Sequence, residues 1–334
     1  MMHRSLKVPD LYNLRASDGH RTGGIMGFTR MLNATMNKFP DYMPINCLDS
    51  GLSPRRLEAY PNYKHHADKK SEREMRASLL QMGVKLSQEE LESDEYVEEY
   101  RTQRAHVVDI LDCLGIPSLN FQNWEGDDLM DYLSRNCEES IVVTDDRDLL
   151  QLLSPNVSVY RPMADEFWTH DEYLKANEFN HIEETIFHKA IVGDGSDNIP
   201  AVTAGLERKH GVGGKRANVI AKVIHFNPTN YLDILQEMSE DAKAYRDLYG
   251  KIPVNPIKGF IQRHDHFLRN MELVDLRRNE FPDEIVTQIN STITAQSGKI
   301  DYFGAVGHVG KHEIKKFDID SVVAKVNMLS LNFN

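Results

Sequence analysis

The sequence predicts an α/β protein, with a mostly parallel sheet in its first half and a mainly helical region after it. Short apolar runs each end in a carboxylate-containing loop and lead into a helical pattern, which is the order of strands and crossover helices in a parallel sheet. Beyond Tyr160 the strand signal fades and helical spacing dominates. The 334 residues, 40% of them hydrophobic, suffice for one large or two smaller domains.

The spacing of apolar residues gives the elements in chain order. In the first half they are a helix over 25–32, a strand over 45–48, exposed helices within 57–104, a helix over 107–114 and a strand over 140–143. In the second half, helices are predicted over 182–192, 215–224, 231–238 and 266–276. The charge-dense stretch 57–104 is open to two interpretations, a solvated helical insertion or a binding surface.

Composition excludes several classes of protein. With 39 Lys and Arg against 51 Asp and Glu, the net charge of -12 argues against a surface that is cationic throughout, so contacts with nucleic acid must come from local basic patches. The cysteines Cys47, Cys113 and Cys137 are widely spaced, which supports neither a disulfide framework nor a zinc ribbon. We expect no membrane span and no signal peptide, and hence a reducing, cytoplasmic setting.

Carboxylates collect where the predicted strands end or helices begin. Asp49 follows the first strand, the WEGDDL segment opens a helix, and the TDDRD segment follows the next strand. A further pair, Asp194 and Asp197, has the i, i+3 spacing that points two side chains the same way. In parallel sheets such groups meet at the carboxyl ends of the strands.

Converging carboxylates repel one another unless protons or cations neutralise them, and oxygen ligands suit Mg²⁺ or Mn²⁺. Two such ions would serve phosphodiester hydrolysis. For each segment alone, helix capping or ordinary loop chemistry is the stronger interpretation. Their number and order together favour a metal site.

Two further segments are candidates for contact with nucleic acid. The glycines of GVGGKRA, residues 211–217, open a helix beside a Lys-Arg pair, as in turns whose backbone N–H groups approach phosphates, although a plain glycine-rich turn is an equal alternative. Basic residues alternate with tyrosines within 55–70, a pattern that also occurs on ordinary solvated surfaces.

Taken together, these motifs resemble those of the 5′-nuclease family, which includes phage 5′→3′ exonucleases, phage ribonuclease H, the 5′-nuclease domain of bacterial DNA polymerase I and flap endonucleases. CLDSGLSPRRLEAYPNYK, WEGDDL, VVTDDRDLLQLL and GDGSDNIP match family motifs in the family's order, and GVGGKRA and FLRNMELVDL resemble later helical segments. The resemblance covers about residues 2–276 and implies a PIN-like, Rossmann-like core over 1–175 with a helical arch at about 57–104. A helical DNA-binding region over 176–334 would contain a helix-three-turn-helix at about 190–224.

The resemblance also assigns roles to individual residues. The implied metal ligands, direct or through water, are Asp49, Glu125, Asp127, Asp128, Asp146, Asp148, Asp194 and Asp197. Lys64 matches the family's phosphate-contacting lysine and, with Asp128 and Asp146, forms the implied catalytic set. The residues expected to contact DNA are Arg55, Arg56, Tyr60, Lys64, Lys69, Lys70, Gly211, Gly213, Gly214, Lys215 and Arg216.

The sequence departs from the family at two main places. MMHRSL resembles the segment that follows the family's first strand and its Asp-Gly ligand, so we expect that strand to be missing, through a start assigned too late or through a natural truncation. AVTAGLERKH replaces the shorter glycine-rich link before the hairpin, which weakens the implied K⁺ site there. Ala67 also stands where the family commonly has arginine, and Lys69 or Lys70 would substitute for it.

The resulting hypothesis is a two-metal 5′ nuclease that uses Mg²⁺, or Mn²⁺ in its place, on 5′ flaps, 5′ ends or RNA primers of replicating DNA. A replication polymerase or a single-strand-binding protein would be its protein partner, and the divergent motifs suggest a bacteriophage and hence the host cytoplasm. Two alternatives stay open: a catalytically impaired protein that binds branched DNA, and a nuclease directed at RNA in RNA-DNA hybrids. A phosphatase fits less well, since no nucleophile loop is recognisable.

Overall fold

The structure is a computed structural model that describes residues 9–64, 75–76, 78, 81–82, 88–206 and 211–331. The chain divides into two compact units that are discontinuous in sequence. Unit 1 comprises Met1–Asp49, His66–Phe121 and Phe281–Asn334, and unit 2 comprises Ser50–His65 and Gln122–Glu280. The sequence-ordered division at 175/176 stays a prediction.

Unit 1 is largely helical. Its helices are α1 (Pro9–Tyr12), α2 (Gly23–Lys38), α4 (Gln88–Cys113), α13 (Asp283–Gln296), α14 (Tyr302–Lys311) and α15 (Ile319–Ser330). Its strands β1 (Asn46–Cys47) and β2 (Ser118–Leu119) pair in parallel, with Asn46 opposite Ser118. The core of this unit consists of apolar faces of α2, α4, α14 and α15, with Ile25, Ile110, Leu114 and Val326 among its buried residues.

Unit 2 contains the second sheet and most of the shorter helices. The helices are α3 (Pro54–Ala59), α5 (Gly126–Asn136), α6 (His170–Asn177), α7 (Glu183–Val192), α8 (Gly214–Phe226), α9 (Tyr231–Glu240), α10 (Arg246–Tyr249), α11 (Val254–Gln262) and α12 (His264–Val274). Two 3₁₀ turns cover Arg147–Leu152 and Leu276–Arg278. The strands are β3 (Ser140–Val143), β4 (Val157–Arg161) and β5 (Glu166–Trp168).

The sheet of unit 2 is of mixed direction. β3 pairs with β4 in parallel, with Val142 opposite Val159, and β4 pairs with β5 antiparallel, with Tyr160 opposite Phe167. One buried cluster packs β3 and β4 against the first 3₁₀ turn, and a larger one packs α7, α8, α9, α11 and α12 together. The candidate site lies next to these two clusters, at the end of β3, the beginning of α5 and the end of α7.

The predicted α/β class is confirmed, and most predicted elements lie within one to three residues of an observed one. The helical region begins later than the sequence indicates, because the short strand β5 follows Tyr160. Its residues Glu166–Trp168 are too few for a periodic pattern and form a strand by hydrogen bonding to β4. No helix within the described residues is both long enough and apolar enough to cross a membrane.

Candidate active site

Three carboxylates of unit 2 converge on one point. Asp148, Asp194 and Asp197 each place an oxygen within 4.8 Å of the other two, and we call these three residues the aspartate cluster. Asp148 lies in the 3₁₀ turn after β3, and Asp194 and Asp197 lie in the loop after α7. Gly193 ends α7 with φ 72°, and a Cβ there would lie 2.4 Å from the carbonyl oxygen of Ile199, so this turn requires glycine.

Lys189 supplies the positive charge of this cluster in the structure. Its ammonium group contacts Asp148 and lies 2.8 Å from an Asp194 carboxylate oxygen. It stands one turn before the end of α7, five residues ahead of Asp194. Lys189 was not predicted from the sequence, although a lysine in the last helical turn before an acidic loop is a usable signal.

The environment drives the pKa values of the three carboxyl groups apart. Burial tends to raise the pKa of Asp194, but hydrogen bonds from Lys189 and Ser196 lower it to about 2. Burial raises the pKa of Asp197 to about 6, with Asp194 and Asp148 adding to the rise and Lys64 opposing it. Burial also raises the pKa of Asp148, against the effect of Lys189. Lys64 and Lys189 thus lower the pKa of Asp197 without offsetting its burial.

A second group of carboxylates surrounds a buried arginine. Arg56, at 1% exposure, lies 2.7 Å from Glu125 and 2.6 Å from Asp128, and it also donates to the carbonyl oxygen of Leu273. Asn279 donates to Asp128 Oδ1, which also accepts a hydrogen bond from Arg56. Glu125 and Asp128 also form a capping box at the start of α5, in which each side chain accepts the backbone N–H of the other residue. We call Arg56, Glu125, Asp128 and Asn279 the Arg56 cluster.

Lys64 connects the two clusters. Its ammonium group contacts Glu125 and lies 3.7 Å from Asp197, while its backbone N–H donates to the Asp197 carbonyl oxygen at 2.9 Å. Burial works to lower the pKa of Lys64, but Glu125, Tyr63 and Asp197 outweigh it and raise the value. Burial likewise works to raise the pKa of Glu125, and Arg56 and Lys64 lower it. Both groups stay charged at neutral pH.

The other predicted ligands have different surroundings. Asp146 is exposed and caps the 3₁₀ turn by accepting the Asp148 backbone N–H at 2.9 Å. Asp127 is half-buried in the first turn of α5. Asp49 belongs to unit 1, where it follows β1 and its carbonyl oxygen accepts a hydrogen bond from Arg104 at 2.7 Å. Their metal ligation stays a prediction.

The described residues of the expected basic-aromatic patch make contacts with other residues of unit 2. Arg56 is buried, so a direct contact with DNA does not fit its position, because its guanidinium already serves two carboxylates. Arg55 bonds to Glu272 and Asn279, and Tyr60 lies 4.8 Å beneath the guanidinium of Arg269. Lys69 and Lys70 lie outside the described residues. Asn279 and Arg269 were not predicted, and no sequence pattern marks them.

The glycine-rich hairpin opens α8. Gly211 has φ 74°, and a Cβ there would lie 2.6 Å from the Cβ of Ala201, so close packing as well as conformation requires glycine. Gly213 is the N-cap of α8 and Gly214 its first residue. Lys215 and Arg216 are exposed in the first turn, where the N–H groups of the helix end also point outward.

The fold is shared with proteins of bacteriophage T5. The T5 D15 protein co-crystallized with metal ions superposes with a TM-score of 0.56 at 20% identity, covering 98% of this chain and 97% of that one. A complex of the T5 D15 flap endonuclease with DNA and metal ions superposes with a TM-score of 0.53 at 21% identity, over 91% and 90%. These similarities establish an α/β fold with a helical region.

The family follows from the sequence itself. The model of the 5'-3' exonuclease, N-terminal resolvase-like domain matches residues 1–183, and the chain belongs to this family. A 5'-3' exonuclease of Aquifex aeolicus is 29% identical over 63% of this chain and 62% of its own length. DNA polymerase I of Lactococcus lactis subsp. cremoris is 25% identical over 95% of this chain but only 34% of its own length. The resemblance found in the motifs is thereby confirmed.

Proposed function

We propose that this protein is a divalent-metal-dependent 5′ nuclease that hydrolyses phosphodiester bonds at 5′ ends or 5′ flaps of DNA. The observation that carries the proposal is the aspartate cluster, formed by two of the motifs that match the family. The relatives named 5'-3' exonuclease and flap endonuclease support the same activity. The relatives named DNA polymerase I support a role in replication.

The donor set fits a hard divalent cation. All three groups of the aspartate cluster offer carboxylate oxygens within 4.8 Å of one another, as Mg²⁺ and Mn²⁺ prefer. Lys189 already holds one positive charge between Asp148 and Asp194, and the raised pKa of Asp197 indicates that a further positive charge would be stabilised there. When bound, a divalent ion would polarise the scissile phosphate and lower the pKa of a water molecule.

The residues of the chain would then act as follows. Asp194, with its pKa at about 2, keeps a full negative charge over the whole physiological range and anchors the cation. Lys64 stays protonated and would stabilise negative charge that develops on the phosphate, as preorganised cations do in phosphoryl transfer. Asp146 lies beside Asp148 with its side chain exposed, and it would add a further carboxylate ligand from the solvent-facing side of the cluster.

The Arg56 cluster favours a supporting role for Glu125 and Asp128. Direct metal ligation by Glu125 would require its hydrogen bonds from Lys64 and Arg56 to break. Ligation by Asp128 would require its bidentate contact with Arg56 to break. Glu125 instead orients Lys64 toward Asp197. We assign these two carboxylates to positioning and to the electrostatic field of the site.

The hairpin is proposed to hold the DNA duplex. The first turn of α8 offers backbone N–H groups with exposed Lys215 and Arg216, which together form a phosphate site independent of base sequence. The finer parts of the proposal are Mg²⁺ as the natural ion, K⁺ at the hairpin, RNA-DNA hybrids as further substrates, a replication polymerase or single-strand-binding protein as partner, and a cytoplasmic location.

The test is cleavage of a 5′-labelled flap by the purified chain in Mg²⁺, in Ca²⁺ and in EDTA, with Asp194→Ala as the site variant. We expect cleavage in Mg²⁺ alone, and for Asp194→Ala a loss of turnover with flap binding retained. Binding of the flap without any metal-dependent cleavage by the unmodified chain would instead support the binding-only alternative. Faster cleavage of an RNA-primed flap than of an all-DNA flap would move the proposal toward the RNA-directed nuclease.

A further inference from the structure

A second cluster of metal-ligating side chains lies in unit 2, outside the nuclease site. His181, Glu183 and His225 each offer a ligand atom within 4.8 Å of the other two. Among the described residues this is the one such cluster that contains imidazole nitrogens. We propose that it binds a transition-metal ion, with Zn²⁺ as the expected ion. This inference does not depend on the proposed nuclease activity.

The distances are close to those of a zinc site. Glu183 Oε2 lies 3.7 Å from His181 Nδ1 and 3.8 Å from His225 Nδ1. Tetrahedral zinc with bonds of about 2.1 Å separates its ligand atoms by about 3.4 Å, so both Glu183–histidine distances are within a few tenths of an ångström of that separation. The ligand atoms of the two histidines lie within 4.8 Å of each other. The two imidazole rings are stacked, with centroids 5.1 Å apart and planes 11° apart, and face the same carboxylate.

The ligand atoms are available for coordination. His225 Nδ1 is buried and makes no hydrogen bond within the described part of the chain, which is costly for a polar atom without a ligand. His181 Nδ1 accepts a long hydrogen bond of 3.3 Å from the Glu183 backbone N–H, which a metal ion would displace when it binds. The partial exposure of all three side chains leaves room for water at a fourth coordination position.

Arg277 orients the carboxylate ligand. Its guanidinium donates to Glu183 Oε1 at 2.8 Å, which leaves Oε2 turned toward the two histidines. Arg277 also pairs with Asp275 at 3.0 Å, so part of its positive charge is already balanced. A partner that fixes a ligand carboxylate in this way is typical of the outer shell of metal sites.

The position of the cluster suggests what the ion would do. Glu183 is the first residue of α7 and His225 lies in the last turn of α8, so the cluster joins the beginning of one helix to the end of the other. The glycine-rich hairpin opens the opposite end of α8. A bound ion would therefore fasten the helix pair at the end away from the hairpin and stabilise it.

The donor types distinguish this site from the aspartate cluster. Imidazole nitrogen favours Zn²⁺ and related transition metals, whereas a set made only of carboxylates favours Mg²⁺ or Mn²⁺. Excess Mg²⁺ would thus occupy the aspartate cluster and leave the histidine cluster to Zn²⁺. The competing interpretation is an ion pair between Glu183 and protonated histidines, which requires no metal.

The experiment is Zn²⁺ equilibrium dialysis of the full chain in excess Mg²⁺, with His225→Asn and His181→Asn as site variants and His266→Asn as the control. His266 lies in α12 of the same unit and belongs to neither ligand cluster among the described residues. We expect each site variant to bind one Zn²⁺ fewer per chain than the unmodified protein, and the control to bind the same number.

Two further readouts make the result independent of folding defects. Co²⁺ in place of Zn²⁺ should give the visible absorption of a site with nitrogen and oxygen ligands in the unmodified chain and in His266→Asn, and lose it in both site variants. Zn²⁺ should raise the melting temperature of the unmodified chain, while all variants melt alike in EDTA. Equal Zn²⁺ stoichiometry in the unmodified chain and both site variants would overturn the proposal, as would the absence of Zn²⁺ binding in the unmodified chain.

Discussion

Replacing Arg56 by methionine tests whether the Arg56 cluster supports unit 2. The change keeps much of the side-chain volume but removes the guanidinium that contacts Glu125 at 2.7 Å and Asp128 at 2.6 Å. Asp128 has no exposed surface and Glu125 almost none, so water cannot replace the lost contacts without a rearrangement. The variant therefore leaves two buried carboxylates with reduced compensation.

The expected cost follows from the number of partners that remain. Removing one member of a buried ion pair typically lowers the free energy of unfolding by about 3–5 kcal/mol. Lys64 still contacts Glu125 and Asn279 still donates to Asp128, so we place Arg56→Met at the lower end, about 3 kcal/mol. This is a large share of the total stability of about 5–15 kcal/mol of a typical domain.

Urea unfolding followed by tryptophan fluorescence is the appropriate assay. The chain contains 2 tryptophans, Trp124 and Trp168, and both belong to unit 2, so the signal reports the unit that holds the cluster. Arg55→Met is the matched control, since this neighbouring arginine is partly exposed and water can replace its contacts with Glu272 and Asn279, so its loss should cost less than that of Arg56. A loss below about 1 kcal/mol for Arg56→Met, or equal losses for both variants, would show that the Arg56 cluster does not stabilise unit 2 in this way.

Three further predictions concern other parts of the chain. Lys189→Met should lower the free energy of unfolding of unit 2 in EDTA by about 1–2 kcal/mol, because Asp148 and Asp194 lose their counter-charge. Excess Mg²⁺ should restore the lost stability, and an equal loss in EDTA and in Mg²⁺ would contradict this prediction. The double variant Lys215→Ala/Arg216→Ala should weaken flap binding and reduce its logarithmic salt slope by about 2, while Lys251→Ala, an exposed control in unit 2, leaves the slope unchanged. Burial, together with nearby positive charge from His106, His20, Lys311 and His308, lowers the pKa of His312 from 6.5 to about 4. Because the unfolded chain therefore binds this proton more readily than the folded chain, the free energy of unfolding should fall by up to about 3 kcal/mol as the pH drops from about 6.5 toward 4. Urea unfolding followed by circular dichroism should show a shallower decline in His312→Gln, and identical pH profiles would contradict the assignment.

The convergence of Asp148, Asp194 and Asp197 was predictable because their positions depend on local structure, whereas their role as metal ligands stays a prediction. Asp148 follows a strand that an apolar run marks, and Asp194 and Asp197 follow a helix that apolar spacing marks. Carboxylates after such elements meet when the elements pack side by side. The capping interpretation was also correct in part, since Glu125 and Asp128 cap α5 and Asp146 caps a 3₁₀ turn.

The sequence could not reveal which positively charged side chains pair with these carboxylates. Arg56 was expected to contact DNA as part of the basic-aromatic pattern within 55–70, yet it is buried against α12 and α5, elements more than 60 residues away along the chain. Asn279 contacts Asp128 across a separation of 151 residues. Contacts of this kind depend on tertiary packing, which no local pattern encodes.

Strands were predicted less completely than helices. β4 and β5 have 5 and 3 residues, and their identity depends on pairing with β3 and with each other more than on their own periodicity. The helices α7, α8, α9 and α12 were predicted because each buries one apolar stripe, which the sequence displays directly. The histidine cluster was not predicted either, since His181 and His225 come together only through the packing of α7 against α8.

Metal binding by the aspartate cluster is tested by the Mg²⁺ dependence of flap cleavage by the unmodified chain, by Asp197→Asn and by Asp233→Asn, an exposed control on α9. Asparagine keeps the shape of the side chain but removes the charge that we assign to metal binding. We expect Asp197→Asn to need at least about tenfold more Mg²⁺ for half-maximal cleavage, equivalent to about 1.4 kcal/mol, and the control to match the unmodified chain. An unchanged Mg²⁺ requirement in Asp197→Asn would contradict the assignment of the aspartate cluster as the metal site.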